Sequence, residues 1–367
     1  VNKQGLIETV GSGIPRIDFS DDANGALLLE PTATNIITYS EDFSNAYWTK
    51  DASSLTSGFT SPSGDASAFK LVENSANSSH SVYSSAGALA SNVYSFSTFI
   101  KKGERYKCAI ADRNSGAYTS FNLNDGTIIE QTGMTGKIES ISNDWYKISI
   151  ASTSNITIFV TQIFVLEDSY TTGVPILLNY TGDGTSGVYI YGAQLEENSY
   201  ATSYIKTVGT AQTRSADTAT DSGSSTVINS TEGVLYFEGS FKENATNQQL
   251  TLSNGTTAER IVLEVRNSGQ LLRFNVRSSD VNSVEIDQAI TANTPYKLAL
   301  LWSGSVAKFY LNGSLVNSDP SVTVPIGLNS LSFDSGASSV NFYSNTKSVQ
   351  VYTTALSDAE LISLTTI

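Results

Sequence analysis

The chain has few of the side chains that enzymes and metal sites often use, since it contains one cysteine and one histidine in 367 residues. The single cysteine, Cys108, excludes an intrachain disulfide, and its alternating surroundings predict a small buried side chain. One histidine and one cysteine cannot form a zinc site, and His80 has no recognisable triad partner. We expect His80 to face solvent or to lie on an edge strand. No apolar run approaches the ~20 residues that span a bilayer.

Basic residues are also scarce. The chain has 21 Lys and Arg against 35 Asp and Glu, which gives a net charge of −14. Because Lys and Arg are the groups that neutralise phosphates, this balance argues against nucleic acid and against anionic membranes as partners. Neutral or basic glycans remain compatible with the overall charge.

Short strand signals are abundant. Glycine occurs 27 times and aromatic residues make up 10% of the chain, with many Ser, Thr and Asn between apolar segments. Candidate strands recur at spacings of ~8–12 residues, which suits a sandwich. They lie at 68–72, 80–84, 93–101, 105–111, 118–122, 145–151, 156–166 and 186–195. The sequence therefore predicts an all-β protein of two successive β-sandwich (jelly-roll) domains with almost no helix.

The composition also suggests where the domains begin and end. Residues 1–34 form an irregular lead-in or attachment segment with a short apolar strand at 26–30, and residues 35–207 carry the first set of strands. Residues 208–231 are small and polar throughout, so they cannot bury enough surface to fold alone and are predicted to form a linker or a crossing arm. Residues 232–367 would form the second sandwich.

Two hairpin turns and a capped helical turn are recognisable near the end of the second domain. Residues 296–302 and 306–316 alternate around turns at Ser303-Gly304 and Asn312-Gly313, and Asn-Gly is the strongest short hairpin signal. A strand then runs into one helical turn, where Ser357 and Glu360 form a capping box. The order of these motifs, down to the closing Tyr-x-x-x-Leu-Ser-Asp-x-Glu, resembles the end of a laminin-G-like, concanavalin A-like lectin domain.

The first domain carries a second resemblance. The opening phrase at 27–48 and the closing phrases at 183–197 and 201–205 are similar to those of carbohydrate-binding-module-like jelly rolls common in bacteriophage tail and fibre proteins. This resemblance implies a virion appendage protein, a tail or head fibre or another surface-decorating protein. Its expected place is the virion surface, with other virion proteins as partners and a trimer as the favoured oligomer.

The two resemblances together imply adhesion to a cell-surface polysaccharide or glycan without catalysis. Two alternatives stay open, a purely structural capsid or tail component and a polysaccharide-degrading enzyme. Glycosidases related to laminarinases carry Glu-x-Asp-x-x-Glu on one strand. Here Glu285-Ile-Asp287 begins that pattern, but Ile290 stands at the position of the second acid. Glycoside hydrolysis normally needs two acids, so we expect no enzyme.

Glycan contact needs flat aromatic platforms beside polar groups, because sugar rings have apolar faces and hydroxyl rims. Several aromatic residues lie next to turn residues, whereas Trp48 and Trp145 lie in regular strand phrases and are expected in the core. The alternative for any such ring is core packing. The candidate glycan-binding residues are Tyr47, Tyr118, Tyr170, Tyr180 and Trp302.

Calcium is the one cofactor that the resemblance suggests, because jelly rolls of this kind often bind a structural calcium where their first and last strands meet. Glu41, Asp183 and Glu196 lie in the matching phrases and are the candidate ligands. The alternative is that these acids cap turns or face water.

Overall fold

A computed structural model of the chain describes residues 1–84, 89–220, 222–243, 246–266 and 269–367. A helix, α1 (Asp358–Thr365), follows the last strand, and Pro175–Leu177 form one 3-10 turn. In chain order the strands are β1 (Ile17–Asp18), β2 (Ala26–Leu29), β3 (Ala33–Asn35), β4 (Trp48–Asp51), β5 (Ser53–Phe59), β6 (Ala68–Glu73), β7 (Asn77–Ser78), β8 (His80–Ser84), β9 (Ser95–Lys102), β10 (Lys107–Asp112), β11 (Ala117–Asn122), β12 (Thr127–Thr132), β13 (Met134–Ser140), β14 (Trp145–Ser152), β15 (Thr161–Leu166), β16 (Tyr180–Thr181), β17 (Gly187–Glu196), β18 (Gln212–Arg214), β19 (Glu232–Phe241), β20 (Gln248–Ser253), β21 (Arg260–Arg266), β22 (Leu271–Ser278), β23 (Val281–Ala289), β24 (Pro295–Ser303), β25 (Val306–Leu311), β26 (Ser314–Asp319), β27 (Ser330–Ser332) and β28 (Ser344–Tyr352).

The predicted fold class is confirmed: the described part of the chain is built from antiparallel sheets and contains almost no helix. It divides into two compact units, Val1–Thr9 with Thr32–Ser215, and Val10–Pro31 with Ala216–Ile367. No helix within the described ranges is long and apolar enough to cross a membrane.

The first unit contains two six-stranded sheets. Sheet 1 has the order β12-β11-β10-β15-β8-β4, and sheet 2 has the order β13-β14-β9-β17-β6-β5. One core cluster takes residues from both sheets, including Trp48, Phe121 and Val165 from sheet 1 and Phe96 and Ile148 from sheet 2. As predicted, Cys108 and Trp48 are buried in this core. Trp145 is buried in a smaller cluster with Phe99 and Tyr191.

The other side of sheet 1 is covered in part by the segment that follows β15. Tyr170 of this segment packs with Tyr118 and Phe164, and Ile176 and Leu178 add partly buried contacts. The sequence predicts a loop here, but the loop folds back onto the sheet and brings its apolar side chains with it.

His80 differs from its prediction. It is fully buried, its Nδ1 lies 2.6 Å from the Ala52 carbonyl oxygen and its Nε2 lies 3.2 Å from that of Tyr180. The Tyr180 ring packs against the imidazole edge-on, with ring centroids 4.5 Å apart. Each ring nitrogen therefore lies within hydrogen-bond distance of a carbonyl oxygen, and the nitrogen that carries the proton can donate to its carbonyl.

The second unit is built from a seven-stranded sheet 3, with the order β1-β2-β28-β19-β24-β25-β26, and a five-stranded sheet 4, with the order β23-β22-β21-β20-β27. Their core includes Phe237 and Trp302 from sheet 3 and Leu250, Leu263 and Phe274 from sheet 4. In this unit every second residue of β21 and β22 is buried, so the alternate residues point away from the core.

The motifs at the C-terminus adopt their predicted structures. The hairpin from β25 to β26 turns at Asn312 and Gly313, with φ of 49° and 77°. Both values are positive, as a type I′ turn requires. In the capping box, the Ser357 backbone N–H donates to Glu360 Oε2 at 2.8 Å, and the Glu360 N–H donates to the Ser357 hydroxyl.

The segments expected to be a lead-in and a linker both contribute strands. In the second unit, β2 pairs with β28, so part of the 1–34 segment extends sheet 3. In the first unit, β18 pairs with β3, so part of the 208–231 segment forms a two-stranded sheet. Small polar residues thus find backbone hydrogen bonds even where they bury little apolar surface.

Candidate functional site

Four of the five aromatic residues predicted to bind glycans are buried in the structure. Tyr118, Tyr170, Tyr180 and Trp302 present no open ring face, which corrects the prediction of exposed platforms. The reason is local: Tyr118 and Tyr170 pack against each other on the outer side of sheet 1, and Trp302 lies in the core of the second unit.

The polar ends of these rings are also occupied. The Tyr180 hydroxyl donates to Glu73 Oε2 at 2.7 Å, and the Trp302 indole N–H donates to the Asn229 carbonyl at 3.0 Å. Tyr47 is the fifth candidate. It is half-buried, and its ring packs edge-on against Trp48 with centroids 5.4 Å apart.

The predicted calcium ligands do not come together. Glu41 accepts hydrogen bonds from the Tyr191 and Tyr204 hydroxyls at 2.8 and 3.1 Å. Asp183 accepts from backbone N–H groups of its own turn, at 2.7 Å each from Thr185 and Ser186. Hydrogen bonds from Ser186 and Thr185 lower the pKa of Asp183.

The third candidate ligand, Glu196, is fully buried and accepts a hydrogen bond from the Thr202 N–H at 2.9 Å. Its burial raises its pKa. Across the ranges that the structure describes, no group of three or more His, Cys, Asp or Glu side chains could hold a metal ion. The predicted calcium site is therefore not present as a cluster of carboxylates.

A different surface stands out, on the outer side of sheet 4. Seven charged residues project from three adjacent strands, and we call this surface the charged face. Four of the chain's eight arginines lie on it, although charged residues are only 15% of the sequence. The charged face consists of Arg260, Glu264 and Arg266 on β21, Arg273 and Arg277 on β22, and Glu285 and Asp287 on β23.

One half of the charged face is a network of ion pairs. Arg273 donates through Nε and Nη2 to both oxygens of Asp287, at 2.7 and 2.8 Å, and its Nη1 lies 3.0 Å from Glu285 Oε1. The hydrogen bonds from Arg273 lower the pKa of Asp287. Asn282 donates to Glu285 at 2.7 Å, so this carboxylate is also held in place.

The other half brings two arginines together. Arg260 and Arg277 are direct cross-strand neighbours on β21 and β22. Arg277 lies 3.1 Å from Asp280, but among the described residues Arg260 makes no ion pair, and its Nη1 donates instead to the Gln249 side chain and the Ser335 carbonyl at 3.1 Å each. Burial and the charge of Arg277 lower the pKa of Arg260.

The Glu285-Ile286-Asp287 motif contributes both of its acids to the charged face. The two acids point outward from the edge strand β23 while Ile286 is buried between them. Ile290 stands at the position of the second glutamate in the glycosidase pattern, and its side chain packs against the core. A glycosidase acid needs a raised pKa, whereas that of Asp287 is lowered.

The signal for this surface was present in the sequence. Charged residues recur at even spacings in 260–266 and 273–277, as expected for one face of a strand. The pattern does not say which strands are neighbours, so it could not show that Arg260 lies opposite Arg277.

Comparison with known families agrees with the fold of the second unit. Residues 239–362 match the Concanavalin A-like lectin/glucanases superfamily. The charged face lies within this matched stretch. No curated protein matches the chain.

Several solved structures are similar. The CBM40 of the Ruminococcus gnavus IT-sialidase is 21% identical, with a TM-score of 0.34, and the match covers 40% of this chain and 94% of that one. Sheep galectin-11 is 13% identical, with a TM-score of 0.26, over 38% and 99% of the two chains. Domains LG4-5 of the mouse laminin α1 chain are 10% identical, with a TM-score of 0.22, over 77% and 89%.

Proposed function

We propose that this protein binds glycans without catalysis, through the charged face of its lectin-like domain. The observation that carries the proposal is the cross-strand pair of Arg260 and Arg277, in which Arg260 makes no ion pair to a described residue, beside a network of fixed carboxylates and amides. A rigid sheet holds these groups in place, so little conformational entropy is lost on binding.

The two halves of the charged face suit different parts of a sugar. Glu285 and Asp287 are exposed and can accept hydrogen bonds from sugar hydroxyls. The guanidinium groups of Arg260 and Arg277 suit a carboxylate or sulfate, which they can bind through paired hydrogen bonds. We therefore expect glycans with an acidic substituent to bind best, despite the net negative charge of the whole chain.

The proposed site lacks the arrangement of a hydrolase. Glu285 and Asp287 are both paired with Arg273. Hydrogen bonds from Arg273 lower the pKa of Asp287, and an ionised carboxylate cannot protonate a leaving group. We propose binding without turnover for this reason.

We also propose that the protein belongs to the surface of a virus particle. The phrases at 27–48, 183–197 and 201–205 support a place in a bacteriophage tail or head fibre, or in another protein of the virion surface. There the chain would contact other virion proteins and form an oligomer, with a trimer favoured. Several shallow sites displayed together would bind a polysaccharide far more strongly than one site.

A structural role in a capsid or tail is the second candidate function. The observation that favours it is the burial of Tyr118, Tyr170, Tyr180 and Trp302, since aromatic platforms are the usual sugar-binding surfaces. In that case the charged face would contact another protein.

A glycan array that includes neutral and acidic glycans tests the proposal with the full chain. We expect binding to acidic glycans, loss of that binding in the double variant Arg260→Gln/Arg277→Gln, and retention in the matched control Lys137→Gln. Chelation of calcium should leave binding unchanged. Failure to bind any glycan at high protein density would favour the structural role.

A further inference from the structure

A cavity of about 240 Å³ opens at one end of the first unit, between sheet 1 and sheet 2. Its walls come from the start of β11, the turn from β12 to β13, and the end of β14 with the residues that follow it. The chain passes from sheet 1 to sheet 2 in that turn, at Gly133, whose φ is 71°. Sites for drug-sized ligands measure about 300–1,000 Å³, so this cavity suits a single smaller molecule.

The lining of the cavity is neutral. None of the ten described residues that form it carries a charge, and five of them bear a hydroxyl group. Thr153 and Ser154 lie exposed at the rim, whereas Ala117 and Met134 are buried members of the core of this unit. The cavity therefore combines an apolar base with a polar rim.

One buried hydroxyl in the lining has a hydrogen to donate. Ser152 is 7% exposed and lies on the core side of β14, as do Ile148 and Ile150. Its Oγ accepts the Tyr94 N–H at 3.0 Å, and within the described ranges the hydroxyl donates to no acceptor. Leaving a buried donor unpaired is unfavourable, so an acceptor oxygen bound in the cavity would be stabilised.

This lining favours a neutral molecule with polar edges and an apolar face. A charged group would lose its hydration in the cavity without meeting an opposite charge. A purely apolar molecule would leave the Ser152 hydrogen unpaired. A pyranose ring has hydroxyl groups around its edge and C–H groups on its faces. It can therefore accept from Ser152 and contact Ala117 and Met134 at the same time.

We propose that this cavity is a second binding site of the protein, which takes one neutral hexose residue. The choice of a sugar over other small neutral molecules rests on the proposed function. The site itself does not, because its residues belong to the first unit and the charged face belongs to the second. The two sites have opposite preferences, since the charged face favours acidic sugars and the cavity favours uncharged ones.

Met134 provides a direct probe of the cavity, because it is the one methionine in the sequence. In the full chain, its isotope-labelled methyl group gives an NMR signal from the base of the cavity, which the Met134→Leu variant assigns. The probes are methyl β-glucopyranoside, methyl β-galactopyranoside and methyl α-mannopyranoside, with methyl β-glucuronide as the charged counterpart. At least one neutral sugar should shift the signal saturably. The glucuronide should bind there at least about tenfold more weakly than that sugar.

Two variants locate the effect. Ser154→Trp places a bulky ring at the rim and should abolish the saturable shift, and Ser152→Ala removes the donor and should weaken binding about tenfold. Ser75→Trp is the matched control, because Ser75 is an exposed loop serine of the first unit that does not line the cavity. Its titration should equal that of the unaltered chain. Urea denaturation of each variant checks that it folds.

The proposal is overturned if no neutral sugar shifts the Met134 signal, if the shift persists in Ser154→Trp, or if the glucuronide binds as well as the neutral sugars. These outcomes are separate from failure of the proposed function, since binding of acidic glycans through Arg260 and Arg277 would survive them. Conversely, neutral sugars should still shift the signal in Arg260→Gln/Arg277→Gln. Loss of the shift in that double variant would count against a separate site in the first unit.

Discussion

Arg260 and Arg277 lie directly opposite each other on neighbouring antiparallel strands, although the chain as a whole carries a net charge of −14. Like charges in such a pair are destabilising, by roughly 0.2–1 kcal/mol. Arg260 is held by an amide and a carbonyl oxygen, neither of which neutralises its charge. An anionic ligand is the natural complement of this corner of the charged face.

Replacing one arginine should separate binding from folding. In Arg277→Gln the repulsion with Arg260 is relieved while an exposed ion pair with Asp280 is lost, and surface pairs contribute about 0–1 kcal/mol. The free energy of unfolding should therefore change by less than about 1 kcal/mol, whereas affinity for acidic glycans should fall about tenfold or more. Urea denaturation and titration calorimetry measure the two quantities. Unchanged affinity would count against the charged face as the site.

Salt should affect acidic and neutral glycans differently. The Debye length falls from about 10 Å at 0.1 M salt to about 3 Å at 1 M, so attraction between the arginine pair and an acidic sugar should weaken. Binding of neutral glycans should change little across the same range. Equal salt dependence for both classes would argue that guanidinium charge plays no part in recognition.

A buried carboxylate in the first unit is paired with an arginine. Arg105 donates through Nε and Nη2 to the two oxygens of Glu73, at 3.0 and 2.6 Å, and Glu73 is fully buried. Arg105→Met would leave the carboxylate uncompensated, which costs about 3–5 kcal/mol. Chemical denaturation should detect this loss, and Lys137→Gln should be close to wild type as an exposed control. A loss below about 1 kcal/mol would mean that the pair is dispensable.

The same carboxylate should make stability depend on pH. Burial raises the pKa of Glu73, but hydrogen bonds from Arg105, Tyr180 and the Asp183 N–H outweigh burial and hold it below the usual pKa of a glutamate. A lowered pKa means that the stabilisation is fully present above the unfolded-state value and is lost as pH falls through the folded-state value. Unfolding free energies measured from pH 7 down to acid should therefore decline, and the decline should be smaller in Glu73→Gln. An identical decline in the variant would assign the effect to other carboxyls.

Local patterns predicted the local structure well. The Asn312-Gly313 turn, the Ser357 capping box and the burial of Trp48 and Cys108 follow from residue type and spacing within a few positions. They needed no information about distant parts of the chain, because the hydrogen bonds and the alternation that define them are local.

Predictions that depended on distant contacts fared less well. The sequence around Tyr170 is typical of a loop, and nothing within it shows that the loop folds onto Tyr118. His80 is polar, yet carbonyl groups of Ala52 and Tyr180 accommodate it in the interior. The apolar run at 26–30 predicts a strand, but nothing in it shows that the strand pairs with β28, more than 300 residues later.

A crystal structure of the full chain with the acidic glycan that binds best on the array tests the central claim most directly. We expect the acidic group of the sugar within hydrogen-bond distance of the Arg260 and Arg277 guanidinium groups, with sugar hydroxyls near Glu285 or Asp287. A sugar bound elsewhere on the second unit, with the charged face untouched, would contradict it.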